Sequence, residues 1–222
     1  MARLTIALLL GLICTLPASA QVVRFDTSVG DFDVVLNPTN NPLLQGHTDN
    51  FLAYVNDLRY NCTVINRADE GFVLQMGGFE TNTLAVPSVI DGFEPIETFA
   101  PITGFPAAEN NFTNSRGTIA MALPGLPTGG TNQDGGTSSF FVNLDDNSTL
   151  DTDFTVFAVV PDLTTVDIIM GLDQVDLTTD PNFGANPGNL AFSDVPLQNN
   201  VNLVFIERAF VLEDTAAITA AT

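Results

Sequence analysis

The sequence contains no lysine and no tryptophan, only one histidine and only two cysteines. Without lysine the chain can form neither a Schiff base nor the lysine contact that a P-loop makes to phosphate. His47 would have to serve as the base of any Ser-His-Asp triad, and the sequence has no Gly-x-Ser-x-Gly motif. So few histidines and cysteines cannot supply the usual ligands of a structural zinc site. Most hydrolases and metalloenzymes are therefore disfavoured, and no cofactor or metal ion is expected.

Positive charge is also scarce. The six cationic residues are all arginines, against 26 acidic residues, which gives a formal net charge of −20. Such a surface repels nucleic acid and anionic lipid, so neither is an expected partner. A hydrophobic fraction of 45%, with 17 phenylalanines, is enough to fill the core of one domain.

The first twenty residues have the pattern of a secretory signal peptide. Arg3 precedes an apolar run from Leu4 to Leu16, and Ala18–Ala20 offers a small-residue cleavage site. The run is too short for a stable membrane span. We therefore expect an exported protein, periplasmic or extracellular, with no membrane contact in its mature form. Cleavage would remove Cys14, so the mature chain could not form an intramolecular disulfide.

Short stretches of alternating apolar and polar residues dominate the rest of the chain. Residues 22–36 are typical of a hairpin, Thr48 can cap a first helix, and a second helix is predicted near Thr165–Leu172. Further strands are predicted at Val64–Arg67, Phe72–Met76, Gly117–Ala122, Phe140–Leu144, Val156–Val160 and Leu203–Leu212. Many short strands, two helices and no repeat predict one mainly β domain, closed or nearly closed, over residues 21–212. Residues 213–222 are expected to form a flexible tail.

Three blocks of sequence resemble the cyclophilin family in the same order. In the first, a helix and a strand lead to Arg67 and then to the stretch GFVLQMG at residues 71–77. The second combines NSRGTIAMA at residues 114–122 with TSSFF at residues 137–141, and the third pairs Leu150-Asp151 with Val156-Phe157. The resemblance implies an eight-stranded antiparallel barrel capped by two α-helices, with peptidyl-prolyl cis/trans isomerase activity.

The resemblance also implies the site. Arg67 falls on the catalytic arginine, Phe72, Val73, Phe141 and Leu150 on the apolar proline pocket, and Gln75 and the backbone around Ala122 on groups that hold the peptide. Ser139 and Phe154 fall on two further substrate-binding positions. The residue-level alternatives are that Arg67 is a structural salt-bridge partner and that the phenylalanines are plain barrel core.

Several positions depart from the family pattern. Asn66 and Phe154 stand where the family often has histidine, and Ser139 replaces a glutamine that donates to the peptide. Thr149 replaces a larger aromatic residue, and Leu123 stands where an asparagine is common. We therefore expect an active enzyme with a more apolar and less selective groove.

The preferred hypothesis is an exported isomerase that acts on proline-containing segments of unfolded or extended proteins and assists proline-limited folding of secreted proteins, as a monomer. One alternative is a proline-peptide binding or chaperone module on the same barrel, with weak or lost catalysis. Another is an unrelated exported β-sandwich with a binding role.

Three other features are interpreted as non-catalytic. His47 is expected on the surface at the start of the first helix, and Cys62 is expected to be a small buried hydrophobic residue. Asp145, Asn147, Asp151 and Asp153 alternate as calcium ligands do, but the loop lacks the EF-hand glycine and spacing.

Overall fold

A computed structural model of the chain describes residues 20–102, 112–126, 128–183 and 190–212. The predicted tail and all but the last residue of the predicted signal peptide lie outside these ranges. In chain order the described elements are β1 (Val22–Thr27), β2 (Gly30–Leu36), α1 (Gln45–Asn56), β3 (Thr63–Asp69), β4 (Val73–Glu80), β5 (Glu94–Pro95), β6 (Thr118–Met121), β7 (Phe140–Asn143), β8 (Val156–Val159), α2 (Thr164–Met170), β9 (Asp173–Val175), β10 (Val195–Gln198), β11 (Asn202–Leu203) and β12 (Phe205–Val211).

Eight of the strands form a closed antiparallel barrel. Their order is β3-β12-β1-β2-β8-β6-β7-β4, and the pairing of β4 with β3 closes the ring. β5 only extends β4 outside the ring. The hydroxyl of Thr165 on α2 donates to the carbonyl oxygen of Asp31 at 2.6 Å, which holds α2 against β2. The predicted eight-stranded barrel with two helices is confirmed.

Aromatic rings fill part of the barrel interior. Phe25, Phe51, Tyr60 and Phe140 are all fully buried. The Phe51 ring centroid lies 5.1 Å from that of Phe140 and 5.3 Å from that of Tyr60, and such ring pairs add about 0.5–1.5 kcal/mol beyond area burial. Gly77 on β4 has φ +81°, and a Cβ there would lie 2.9 Å from ring atoms of both Phe140 and Tyr60. The interior is therefore packed tightly enough to require glycine at this position.

Helix α1 begins earlier than the predicted Thr48 cap. The Asn41 side chain accepts a hydrogen bond from the Leu43 backbone amide and starts a 3-10 turn at Pro42–Leu44, from which α1 continues at Gln45. Thr48 lies inside the helix, where its hydroxyl donates to the carbonyl oxygen of Leu44 at 3.1 Å. The predicted cap is wrong because the preceding turn already supplies the start of the helix.

A second, three-stranded sheet lies outside the barrel and was not predicted. β9, β10 and β11 pair antiparallel in the order β11-β10-β9. A separate apolar cluster packs where this sheet and its flanking turns meet the outside of β3; its buried members are Val64, Phe93, Leu177, Phe183, Phe192, Val195 and Leu203. The strands are two to four residues long, which is too short for an alternating pattern, and Pro196 argues against a strand in sequence.

The predicted environments of His47 and Cys62 are both wrong. Because α1 starts at Gln45, His47 shares a helix face with Phe51 and is only 6% exposed. Cys62 lies in the turn before β3 with φ +64°, and its side chain is exposed. Among the described residues, no helix is both long enough and apolar enough to cross a membrane.

Candidate functional site

A β-bulge on β3 determines the direction of Arg67. β3 pairs Ile65 with Met76 but Arg67 with Gln75, so Asn66 is one extra residue on this strand. Ile65 and Met76 belong to the interior core. Strict alternation from Ile65 would also turn Arg67 inward. The extra residue instead brings Arg67 to the outer face of the barrel.

A row of facing residues continues from Arg67 across the outer face. Each residue pairs with the next on the neighbouring strand, in the order Arg67, Gln75, Phe141, Ala120 and Val156. Side chains that face each other on adjacent strands have Cβ atoms about 4.5–5.5 Å apart. Arg67 therefore lies at one end of the row, and only the amide side chain of Gln75 separates it from the apolar residues.

The apolar part of the row belongs to a cluster separate from the barrel interior. Its buried members are Val73, Ala120, Phe141 and Val156, and the half-buried residues packed against them are Phe72, Phe112, Ala122, Leu150 and Phe154. The rings of Phe141 and Phe154 meet edge to face with centroids 5.6 Å apart. Six of the residues predicted to bind substrate lie in this outer apolar cluster: Phe72, Val73, Ala122, Phe141, Leu150 and Phe154.

The Arg67 side chain is held at the edge of this cluster. It is 11% exposed, and its Nη2 donates to a carboxylate oxygen of Asp69 at 2.6 Å. Its guanidinium carbon lies 5.4 Å from the centroid of the Phe72 ring, within the range of a cation–π contact. Among the described residues, the buried Nε of Arg67 has no hydrogen-bond partner. The guanidinium is thus fixed on one side by Asp69, and its Nε is enclosed by the protein.

Gln75 and Ser139 form the polar bridge between Arg67 and the cluster. Gln75 Nε2 donates to the Ser139 hydroxyl at 3.2 Å, and that hydroxyl lies 3.3 Å from the carbonyl oxygen of Met76, to which it donates. The Ala122 backbone amide donates to the carbonyl oxygen of Ser139 at 2.9 Å. The structure therefore brings all three predicted peptide-holding positions, Gln75, Ser139 and Ala122, to one edge of the cluster.

A buried amide network behind the cluster was missed by sequence reasoning. Asn143 Nδ2 donates to Asn114 Oδ1 at 3.1 Å, and Asn147 Nδ2 donates to Asn143 Oδ1 at 2.9 Å. Asn147 Nδ2 also donates to the carbonyl oxygen of Phe72 at 2.8 Å, and Asn114 Nδ2 to Asp151 Oδ1 at 2.9 Å. The network ties the segment that carries Leu150 to the backbone of Phe72. Asparagine within the apolar strand β7 was the available signal, because a buried polar side chain must be satisfied.

Two of the residues considered as calcium ligands, Asn147 and Asp151, are used in this network. Within the ranges that the structure describes, no group of three or more histidine, cysteine, aspartate or glutamate side chains is placed to hold a metal ion.

His47 packs against the barrel interior, with its ring centroid 5.9 Å from that of buried Phe157. Together with Met121 and Leu123 it lines a small cavity. Burial lowers the pKa of His47 to about 4. The imidazole is therefore neutral at pH 7.

Comparison with known proteins places these features in a family context. A family model described as cyclophilin type peptidyl-prolyl cis-trans isomerase matches residues 22–185. A peptidyl-prolyl cis-trans isomerase of Acinetobacter baylyi is 33% identical over 172 residues, which cover 75% of this chain and 76% of that protein. Peptidyl-prolyl cis-trans isomerase B of Escherichia coli is 32% identical over 163 residues, 70% of this chain and 82% of that protein.

Solved structures show the same fold. A cyclophilin-type peptidyl-prolyl cis-trans isomerase of Cryptosporidium parvum superposes with a TM-score of 0.57 at 17% identity, covering 88% of this chain and 99% of that one. The same protein, crystallised in the presence of the dipeptide Ala-Pro, gives a TM-score of 0.55 at 16% identity, covering 87% of this chain and 100% of that one.

Proposed function

This chain belongs to the cyclophilin-type peptidyl-prolyl cis-trans isomerases and catalyses rotation about X-Pro bonds, and on that basis we propose that the reaction takes place on the barrel face that carries Arg67 and the outer apolar cluster. The observation that carries the proposal is an arginine held by Asp69 and Phe72 at the edge of the outer apolar cluster. A proline ring needs such a surface, and the reacting bond needs such a donor.

The chemistry requires neither a nucleophile nor a proton transfer. Rotation about an X-Pro bond faces a barrier of about 18–20 kcal/mol because amide resonance must be broken. In the twisted state the prolyl nitrogen becomes pyramidal and gains a lone pair that can accept a hydrogen bond. A donor that bonds this nitrogen stabilises the twisted state more than the planar one, which is the condition for catalysis.

Arg67 is suited to this role by its surroundings. The contacts of Arg67 with Asp69 and Phe72 fix the guanidinium before substrate arrives, so little reorganisation is needed during the reaction. Arginine also stays protonated at any physiological pH. In the proposed mechanism the Arg67 guanidinium donates to the prolyl nitrogen as the bond twists.

The outer apolar cluster binds the proline ring, and the polar bridge binds the peptide backbone. In this proposal the proline ring packs on Phe141, with Phe72, Val73, Leu150 and Phe154 around it, all of which belong to the outer apolar cluster. Gln75 Nε2 has a second N–H that can donate to the peptide, whereas the Ser139 hydroxyl, which already donates to Met76, and the Ala122 carbonyl supply acceptors. The substrates are proline-containing segments of unfolded or extended polypeptides, and the Ala-Pro dipeptide used with the Cryptosporidium parvum protein supports this class.

In this proposal the enzyme is exported as a monomer and assists proline-limited folding of secreted proteins. The support is the signal-like pattern of residues 1–20. Expression of the full chain with its own N-terminus, fractionation of the culture and mass determination of the product test this point. A product that begins at Gln21 outside the cytoplasm is expected, and an uncleaved cytoplasmic product would contradict export.

The test of the site is cis/trans exchange on a short neutral X-Pro peptide, followed by NMR line shape or a protease-coupled assay. Wild type should accelerate exchange, and Arg67→Ala should bind the peptide while losing most of the acceleration. Equal exchange rates for the two proteins would place the reaction elsewhere on the barrel.

A further inference from the structure

The edge of β3 that carries Asn66 and Ala68 is covered by a segment from far along the chain, Leu190–Asp194. Asn66 Nδ2 donates to the carbonyl oxygen of Ala191 at 2.6 Å. The Ala68 backbone amide donates to the carbonyl oxygen of Asp194 at 2.7 Å. These two bonds lie one residue before and one residue after Arg67, so the segment brackets it on both sides.

Both donors come from buried residues. Asn66 and Ala68 are fully buried. A buried polar group that loses its hydrogen-bond partner destabilises the folded state, so the covering segment cannot move away without penalty. The bulge at Asn66 is the same one that brings Arg67 to the outer face, because it shifts the pairing of β3 with β4 by one residue. The segment therefore holds the bulge at the position where the direction of Arg67 is set.

The covering segment is itself anchored by aromatic packing. Phe192 is 4% exposed, and its ring centroid lies 4.7 Å from that of Phe79 and 4.8 Å from that of Phe93. Its carbonyl oxygen accepts a hydrogen bond from the Leu177 backbone amide at 3.0 Å. This segment lies beyond residues 22–185, which the family model matches.

We infer that Leu190–Asp194 is a positioning element for Arg67, and that Asn66 is the positioning residue through which it acts. The inference rests on the proposed role of Arg67. Asn66 does not touch the substrate; it keeps the bulge closed, and the closed bulge keeps the guanidinium aimed at the outer apolar cluster. Loss of the hydrogen bond from Asn66 to Ala191 should therefore lower kcat, the rate at which bound substrate reacts, more than it weakens substrate binding.

The kinetic test compares the full chain with Asn66→Ala, Asn66→Ser and Gln198→Ala. Serine keeps a polar group at the bulge but cannot reach Ala191. Gln198→Ala is the matched control, because Gln198 Nε2 donates to the carbonyl oxygen of Ser28 at 3.1 Å from the same small sheet, away from Arg67. Both Asn66 variants should lower kcat about 10- to 100-fold, as a displacement near 1 Å does, with KM within about twofold. Gln198→Ala should keep the wild-type kcat.

A second readout follows the guanidinium directly. The chain has six arginines, so the side-chain Nε–Hε signals in an NMR spectrum are few, and Arg67→Lys identifies the one from Arg67. That signal should be sharp in wild type and in Gln198→Ala, and broadened or lost in the Asn66 variants. A merely structural role of Asn66 would lower stability without changing this signal selectively.

The outcomes separate the two claims. Folded Asn66 variants with wild-type kcat and a sharp Arg67 signal would overturn the positioning role, whatever their stability. If Arg67→Ala keeps full activity, the proposed catalytic site is wrong. In that case the Arg67 Nε–Hε signal of the Asn66 variants still decides whether Leu190–Asp194 orders the guanidinium.

Discussion

Arg67 Nη2 donates to the carboxylate of Asp69 at 2.6 Å, two residues further along the same strand and on the same face of the barrel. The pair is 11% exposed on the arginine side and 33% exposed on the aspartate side. A guanidinium this buried needs a partner, and a carboxylate at hydrogen-bond distance both satisfies its charge and limits its rotamers. The carboxylate of Asp69 thus fixes the orientation of the Arg67 guanidinium, the candidate catalytic group.

Replacing Arg67 by alanine should reduce kcat/KM by about 10²–10³, the typical effect of losing one preorganised charged donor. Arg208→Ala is the matched control, because Arg208 makes an equally short ion pair with Asp26 at 2.6 Å but at an exposed position on β12. Circular dichroism should show both variants folded. If Arg67→Ala retains more than half of the wild-type kcat/KM, the assigned role is wrong.

Replacing Asp69 by alanine should lower kcat about 10-fold, because the guanidinium loses its fixed orientation but keeps its charge. Asp69→Asn, which retains a hydrogen-bond acceptor without charge, should lie between alanine and wild type. Peptide binding, measured by titration, should change little in either variant. An increase of kcat in Asp69→Ala would instead mean that the carboxylate competes with the substrate for Arg67.

Replacing Phe141 by alanine should weaken peptide binding and also destabilise the barrel. Phe141 is 5% exposed and packs edge to face on Phe154, and truncation of a buried phenylalanine costs about 3–5 kcal/mol. Phe154→Ala is the comparison, since it removes the same ring contact from a half-buried position and should cost less stability. A Phe141→Ala variant with the wild-type Tm would show that Phe141 is not part of the packed pocket.

Alternation of apolar and polar residues predicted a mainly β domain, whereas the eight-stranded barrel and the residues now found in the outer apolar cluster were implied by the resemblance to cyclophilins. Residues 22–36 alternate cleanly and form the β1–β2 hairpin in register, and Arg67, Phe72 and Gln75 match the family pattern without a gap. The bulge at Asn66 leaves no mark on an alternating pattern, because every residue of β3 from Thr63 to Ala68 is buried. It therefore had to be found from strand pairing.

The features that escaped prediction depend on contacts between distant residues. β10 could not be predicted because its four residues include Pro196, and it is stabilised by pairing with β9 and β11 and by packing of Val195 against Val64 on β3. The pair formed by Asn143 and Asn114 joins positions 29 residues apart. His47 was assigned to the surface because Thr48 was taken as the helix cap; the cap is Leu44, four residues earlier, and the earlier start turns the imidazole inward.

Burial of His47 predicts two separate pH effects. Its pKa is lowered to about 4 by desolvation, so His47 remains neutral between pH 6 and 8, and Arg67 remains charged. Activity on a neutral X-Pro peptide should therefore be nearly flat over that range. A change of activity with a midpoint near pH 6.5 that is absent from His47→Gln would show that the imidazole takes part in catalysis.

Stability should respond to the same group at lower pH. In the unfolded chain His47 has its ordinary pKa of about 6.5, so below that pH the unfolded state binds a proton that the folded state, with a pKa of about 4, does not. The contribution of His47 is thus fully present above pH 6.5 and is lost as the pH falls towards 4, by about 2 kcal/mol at pH 5 and about 3 kcal/mol in all. Urea unfolding at pH 7.5 and pH 5 measures it. Carboxylates titrate in part over the same interval, so the quantity to compare is the difference between wild type and His47→Gln. That variant should lose about 2 kcal/mol less than wild type between the two pH values, and an equal loss in both proteins would mean that His47 is solvated in the folded state.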